Sequence, residues 1–116
     1  MIYFLKRLKL RLIWSWAGVL DSWRTEHSFR SWVWANLAAA IFAFVLPLSG
    51  AERGLVLGLG VLVLAMELMN SAIERAVDYI SKDQHILAKQ AKDAGSAGVA
   101  VAAIAAGVAW VCVLVW

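Results

Sequence analysis

The apolar positions of this chain gather into three long uncharged runs separated by short polar stretches. Residues 31–51 read "SWVWANLAAAIFAFVLPLSGA" without a charge, residues 54–66 read "GLVLGLGVLVLAM", and a third uncharged run covers residues 94–116. Crossing hydrocarbon takes about 20 residues at about 1.5 Å each. The first and third runs qualify outright. The second covers only about 20 Å of a layer near 30 Å thick, so it must continue through Glu67 and Asn70 to about Ile73. The stretch before it, "LSGAER", is too short to return the chain to the same side. Glu67 is therefore expected inside the apolar layer or at its edge. Ahead of the runs, Tyr3 to about Leu20 sets Phe4, Leu8, Ile13 and Trp14 among basic residues at roughly helical spacing, which predicts an amphipathic helix lying in the interface.

The pattern thus predicts one all-α integral membrane domain over 1–116. A surface helix and turn take 1–28, and span one takes 31–51. Span two, with a cytoplasmic extension, takes 54–79. A cytoplasmic loop over 80–93 and span three over 94–116 complete it. Pro47 marks a turn after span one. Small residues at four-residue spacing in span three, such as Ala103 and Gly107, fit close helix packing.

Composition agrees: 63% of the 116 residues are hydrophobic and 16% charged, against about 25% charged in a soluble domain. The basic cluster Lys6, Arg7, Lys9 and Arg11 suits a membrane surface; nucleic-acid binding does not fit so apolar a chain. Of eleven Lys and Arg residues, six precede span one, four lie between spans two and three, and Arg53 alone sits in the first loop. This bias predicts a cytoplasmic N-terminus. The basic residues of the N-terminal segment are interleaved with Leu, so a cleaved signal peptide is not expected. The single cysteine, Cys112, excludes an intrachain disulfide and is expected to be a small buried hydrophobe. Most of the seven tryptophans fall near span boundaries, where indoles prefer to sit.

The candidate chemistry lies in "ELMNSAIERAVD", residues 67–78. On a helix, Glu67, Asn70, Ser71, Glu74 and Asp78 share one face. An ordinary solvated helix end accounts equally well for Glu74 and Asp78. Glu67 is different, because a lone carboxylate at bilayer depth costs several kcal/mol. A like charge two turns away makes this worse unless a cation is present. Clustered carboxylates with an amide are the ligand set that suits Mg²⁺. Lys92 and Asp93, just before span three, are of the types that hold and orient a phosphate, or else they pair with each other at the interface. His85 is a lone histidine in a polar loop, exposed by default. Glu26 in "RTEHSFR" is by itself a surface charge or a helix cap. The phosphate loop with its lysine, the soluble-kinase signatures and zinc-ligand spacings are all absent.

With these residues in view, the chain resembles the prokaryotic diacylglycerol kinase family, small integral-membrane lipid kinases that include undecaprenol kinases. "ELMNSAIERAVD" matches that family's E-x-x-N-[ST]-A-I-E-x-x-x-D. "AKDAGSAGV" matches A-K-D-x-[GA]-S-A-x-V, and "SWAG" and "EHSFR" match the approach to the first span. The resemblance implies a homotrimer of three-span protomers with shared active sites in the bacterial inner membrane. It implies transfer of the γ-phosphoryl of ATP, with Mg²⁺, to the hydroxyl of diacylglycerol, or of a polyprenol in the undecaprenol kinases. Carried over by motif, Glu67 is the general base, Asn70 the site amide, and Glu26 and Glu74 the magnesium ligands at the nucleotide. Lys92 and Asp93 are nucleotide contacts, Arg7, Trp14, Asp83, Gln84 and His85 align with nucleotide-contacting positions, and Ser96 joins Glu67 on the lipid side. Two positions depart from the pattern. Trp14 stands for a tyrosine at the nucleotide edge, and Trp32 stands for a glutamate at the site rim, which bears on the acceptor. Two readings from other classes remain open: a small proton-coupled transporter built on a membrane glutamate, and a structural or regulatory membrane subunit.

Overall fold

The computed structural model describes residues 1–116 and contains four helices and no strand: α1 Ile2–Thr25, α2 His27–Val45, α3 Gly50–Ile80 and α4 Ile86–Val115. The last three are each long and apolar enough to cross a membrane. The second apolar run does continue past Glu67 in unbroken helix through the expected extension to Ile80, because nothing in "NSAIERAVDYI" breaks a helix.

Several boundaries differ from the sequence reading. Span one was expected to reach residue 51, but α2 ends at Val45. Pro47 disfavours helical backbone in the residue before it, and Leu46 is extended (φ −75°, ψ 150°). Gly50 and Ala51 instead form the first turn of α3, started by a capping box. Ser49 Oγ accepts from the Glu52 N–H at 3.2 Å, and Glu52 Oε2 accepts from the Ser49 N–H at 2.7 Å. The one basic residue of this loop is spent on α2. Arg53 Nε donates to the Ala43 carbonyl at 2.7 Å and Nη2 to that of Leu48 at 3.2 Å, with the guanidinium over the Phe44 ring. The Ala43 carbonyl, left open at the end of α2, and the Leu48 carbonyl of the loop are thereby satisfied. The expected loop over 80–93 shrinks to residues 81–85. His85 is the N-cap of α4, its Nδ1 accepting from the Leu87 N–H at 3.1 Å, so Lys89, Lys92 and Asp93 stand on helix.

α3 is the central element, packed against α4 along one side and α2 along the other, while α1 touches α2 and α3 only lightly. Val56 of α3 joins Ala43 of α2 and Ala109 of α4 in the one buried apolar cluster. At the α3–α4 seam, a Cβ on Gly95 would meet Asn70 Oδ1 at 2.5 Å and one on Gly98 would meet the Met66 methyl at 2.6 Å. The seam of α4 runs through Gly95, Val99 and Ala109, with Ala103 half-buried on the same side and Gly107 off it. Gly107 points into open space, because α4 turns its other side to α3. Cys112 is exposed rather than buried, for the same reason: α3 is the only neighbour α4 has.

The result is a slab of 50 × 45 × 24 Å with a radius of gyration of 17.2 Å, against about 13 Å for a compact domain of this length. Only ten of the 116 residues are buried, and large apolar side chains such as Leu37, Phe42, Val61 and Ile104 are exposed along the spans. Apolar surface of that extent belongs against lipid or other protein.

Candidate active site

α1 and α2 meet at a single non-helical residue, Glu26 (φ −118°, ψ 114°). Arg30 Nη1 reaches back to the Trp23 and Arg24 carbonyls at 3.1 and 3.3 Å, closing the end of α1. Trp23 and Trp34 stack tilted at 6.1 Å across the joint. Glu26 holds the N-cap position of α2, yet its side chain makes no capping bond. It turns to α3 instead.

There it meets the carboxylate stripe. Glu67 is buried, only 5% exposed. Its Oε2 accepts from Ser28 Oγ at 3.3 Å, the Trp32 side chain faces the same carboxylate, and Glu26 and Glu74 lie close enough to repel it. Glu26 Oε2 accepts from the Ser71 hydroxyl, and Glu26 Oε1 accepts from Arg75 Nη2 at 2.9 Å. Ser71 Oγ also lies 3.0 Å from the Glu67 carbonyl. With one proton to donate, the hydroxyl gains more from the charged acceptor. Asn70 Nδ2 donates to Glu74 Oε1 at 3.4 Å, while Asn70 Oδ1 is buried against Gly95 without a partner.

Depth follows from helix lengths. α2, with 19 residues, is about 28 Å long and just matches the hydrocarbon layer. Because Ser28 in its first turn touches Glu67, this carboxylate lies at the edge of the layer. Glu74 and Asp78 then stand about 10 and 16 Å further along α3, toward water.

Beyond them lies an open hollow of about 640 Å³ formed by the loop after α3 and the first turns of α4. Five residues aligned with nucleotide contacts line it together: Asp83, Gln84, His85, Lys92 and Asp93, joined by Lys82 and Lys89. Lys92 and Asp93 do not pair with each other. Lys92 Nζ reaches Asp78 Oδ1 at 2.7 Å, linking hollow to stripe, and Lys89 Nζ reaches Asp93 Oδ2 at 2.5 Å. Helical geometry explains this, since neighbours in sequence point apart on a helix and residues four apart meet. His85 lines the hollow and also caps α4. Three aligned residues stay outside. Arg7 lies over the Tyr3 ring on exposed α1, Trp14 is exposed on the same helix, and Ser96 is exposed on α4 beside Gly95.

The donor set suits a magnesium ion. Glu26 and Glu74 offer hard oxygens, and Asn70 Oδ1, buried in the α3–α4 seam, is an acceptor without a protein partner. No three His, Cys, Asp or Glu side chains converge on one point. Mg²⁺ is commonly held by one or two carboxylates together with waters and substrate phosphates.

Residues that sequence reasoning did not place in the site are Ser28 and Arg75 at the stripe and Lys82 and Lys89 at the hollow. Ser71 shares the stripe's periodicity and was legible as a neighbour. Ser28 and Arg75 act across 39 and 49 residues of sequence, and no local pattern announces such partners.

Three membrane-length helices, with a buried carboxylate and a stripe of further acidic residues leading to a lysine-lined hollow at one end, define a multi-pass membrane protein with a polar site at its interface. Residues 13–114 match the family model described as prokaryotic diacylglycerol kinase, and the chain belongs to that family. It is 41% identical over 111 residues to a diacylglycerol kinase of Pseudomonas aeruginosa, covering 96% of this chain and 90% of the relative. It is 40% identical over 102 residues to the diacylglycerol kinase of Escherichia coli K12, covering 88% and 83%. An undecaprenol kinase of Bacillus subtilis is 39% identical over 77 residues, covering 66% and 63%. The chain is thus a lipid kinase of this family and a multi-pass bacterial membrane protein.

Proposed function

We propose that this lipid kinase transfers the γ-phosphoryl of MgATP to the hydroxyl of diacylglycerol, yielding phosphatidic acid and ADP. The observation that carries the reading is the ordering along α3: a buried Glu67 at the layer's edge, then Glu74, then Asp78 tied to the lysine-lined hollow. A lipid hydroxyl arrives at the first, and a water-borne triphosphate arrives at the last.

Glu67 takes the proton of the lipid hydroxyl as its oxygen bonds to the γ-phosphorus. The bond from that phosphorus to the β–γ bridging oxygen breaks, and ADP leaves with the bonding pair. Such transfer needs positioning and charge neutralisation more than covalent help. Ser28 fixes the Glu67 carboxylate, and Asn70 steadies Glu74. Lys82, Lys89 and Lys92 hold phosphate oxygens on the water side. A magnesium ion held by Glu26 and Glu74 would supply neutralisation of the triphosphate charge. In this reading α1 lies in the inner interface with a cytoplasmic N-terminus, and the site is completed by a second copy in a homotrimer. Arg7 and Trp14 do not line their own hollow, which supports that sharing. Burial of so few residues supports it too.

The acceptor reading rests on the relatives named diacylglycerol kinase, which cover more of this chain than the undecaprenol kinase does. Trp32, where the family pattern has a glutamate, faces Glu67 and so lines the path of the acceptor. The test is an acceptor panel in mixed micelles with MgATP. Diacylglycerol is expected to be phosphorylated at least about ten-fold faster than a polyprenol, a difference of about 1.4 kcal/mol in barrier. The reverse ranking would move the acceptor to polyprenol. ATP turnover with no lipid alcohol phosphorylated would remove the reaction itself.

A further inference from the structure

The geometry points to Arg75 as a positioning residue that holds Glu26 in the site, an inference that rests on the proposed role of Glu26 as a magnesium ligand. Arg75 sits on α3 between the stripe and water. Its Nη1 donates to Asp21 Oδ2 at 2.6 Å, and its Nη2 donates to Thr25 Oγ1 at 3.2 Å and to Glu26 Oε1 at 2.9 Å. The Thr25 hydroxyl spends its proton on the Asp21 carbonyl at 2.8 Å, which leaves its lone pairs for the guanidinium. One side chain of α3 therefore grips three successive features of the α1–α2 joint.

The joint needs that grip. Glu26 is its only non-helical residue, and α1 is anchored by little apolar packing: Ser22 is its sole buried residue. Nothing in the backbone fixes where the Glu26 carboxylate points. Without Arg75, the like charge of Glu67 pushes it outward. The Ser71 hydroxyl alone would remain to oppose that repulsion.

Exposure assigns the role. The side chains of Arg75 and Asp21 are 49% and 54% exposed, and ion pairs so accessible to water add little to global stability. The fork's planar, two-sided geometry contributes direction instead. A lysine ammonium, a single compact charge, cannot span two carboxylates in the same way.

The test uses the full chain in lipid nanodiscs, with hydrogen exchange across residues 22–30 as one readout and the magnesium dependence of lipid phosphorylation as the other. Arg75→Ala is expected to speed exchange at 22–30 by about five-fold, with residues 56–67 unchanged. It is also expected to raise the half-saturating magnesium concentration by about ten-fold, the usual scale for removing a group that orients a metal ligand. Arg75→Lys should recover less than half of either effect. Asp21→Asn, which leaves Arg75 in place, should show a smaller shift of both in the same direction. Unchanged exchange in both Arg75→Ala and Asp21→Asn overturns the inference. Faster exchange with unaltered magnesium dependence also overturns it, reducing Arg75 to a fastening for α1. A wild-type protein that phosphorylates no lipid at all contradicts the proposed reaction instead, and the exchange comparison still decides whether Arg75 holds the joint.

Discussion

Glu67→Gln is expected to lower the rate of lipid phosphorylation by at least about a thousand-fold, within the range a general base contributes, while the protein folds and assembles as before. The amide matches the carboxylate in size and still accepts from Ser28 Oγ, so packing around the 5%-exposed side chain is preserved. It also removes a charge that is costly to bury and that faces two like charges. Thermal stability should therefore stay level or rise as activity disappears. Opposite movements of stability and activity are what a functional residue in an unfavourable position produces. The measurement is an initial rate of phosphatidic acid formation set beside a melting curve and an oligomer mass on the same preparation. A variant with near-normal turnover would remove Glu67 from the chemistry.

Glu74→Gln and Glu26→Gln should each retain transfer at saturating magnesium but require more of the ion. Loss of a direct ligand must cost more than loss of its support, so the half-saturating concentration should rise by well over about ten-fold. The two need not be equal. Glu26 already shares its oxygens with Arg75 and Ser71, whereas Glu74 meets only the Asn70 amide at 3.4 Å. A magnesium titration of initial rates for both variants makes the comparison, and normal dependence in either removes that residue from the ligand set.

Much of this site was legible because membrane chains expose their exceptions. A carboxylate after thirteen uncharged residues needs a reason, and the helical period then places Asn70, Ser71, Glu74 and Asp78 beside it. The number of spans and the single polar face followed from that pattern alone. Span limits were less legible, since hydropathy does not see backbone signals. Pro47 and the Ser49–Glu52 capping box decided that Gly50 and Ala51 open α3, and His85 decided where α4 begins. Partners far apart in sequence were not legible at all. Asp21 and Arg75 lie 54 residues apart, and each alone looks like an ordinary surface charge. The seam of α4 was not legible because runs of Ala and Gly offer several equivalent faces. Gly95 was chosen from among them by the Asn70 side chain opposite, a fact of packing rather than of pattern.

The proposed function requires acidic groups at the layer's edge to hold a metal-bound triphosphate next to a lipid alcohol. The most direct measurement is a binding titration of the purified wild-type protein in nanodiscs with a non-hydrolysable ATP analogue, with and without magnesium. Saturable binding that requires magnesium, and that weakens in Glu74→Gln, is the expected result. No binding under either condition, or binding indifferent to the metal, would contradict the claim.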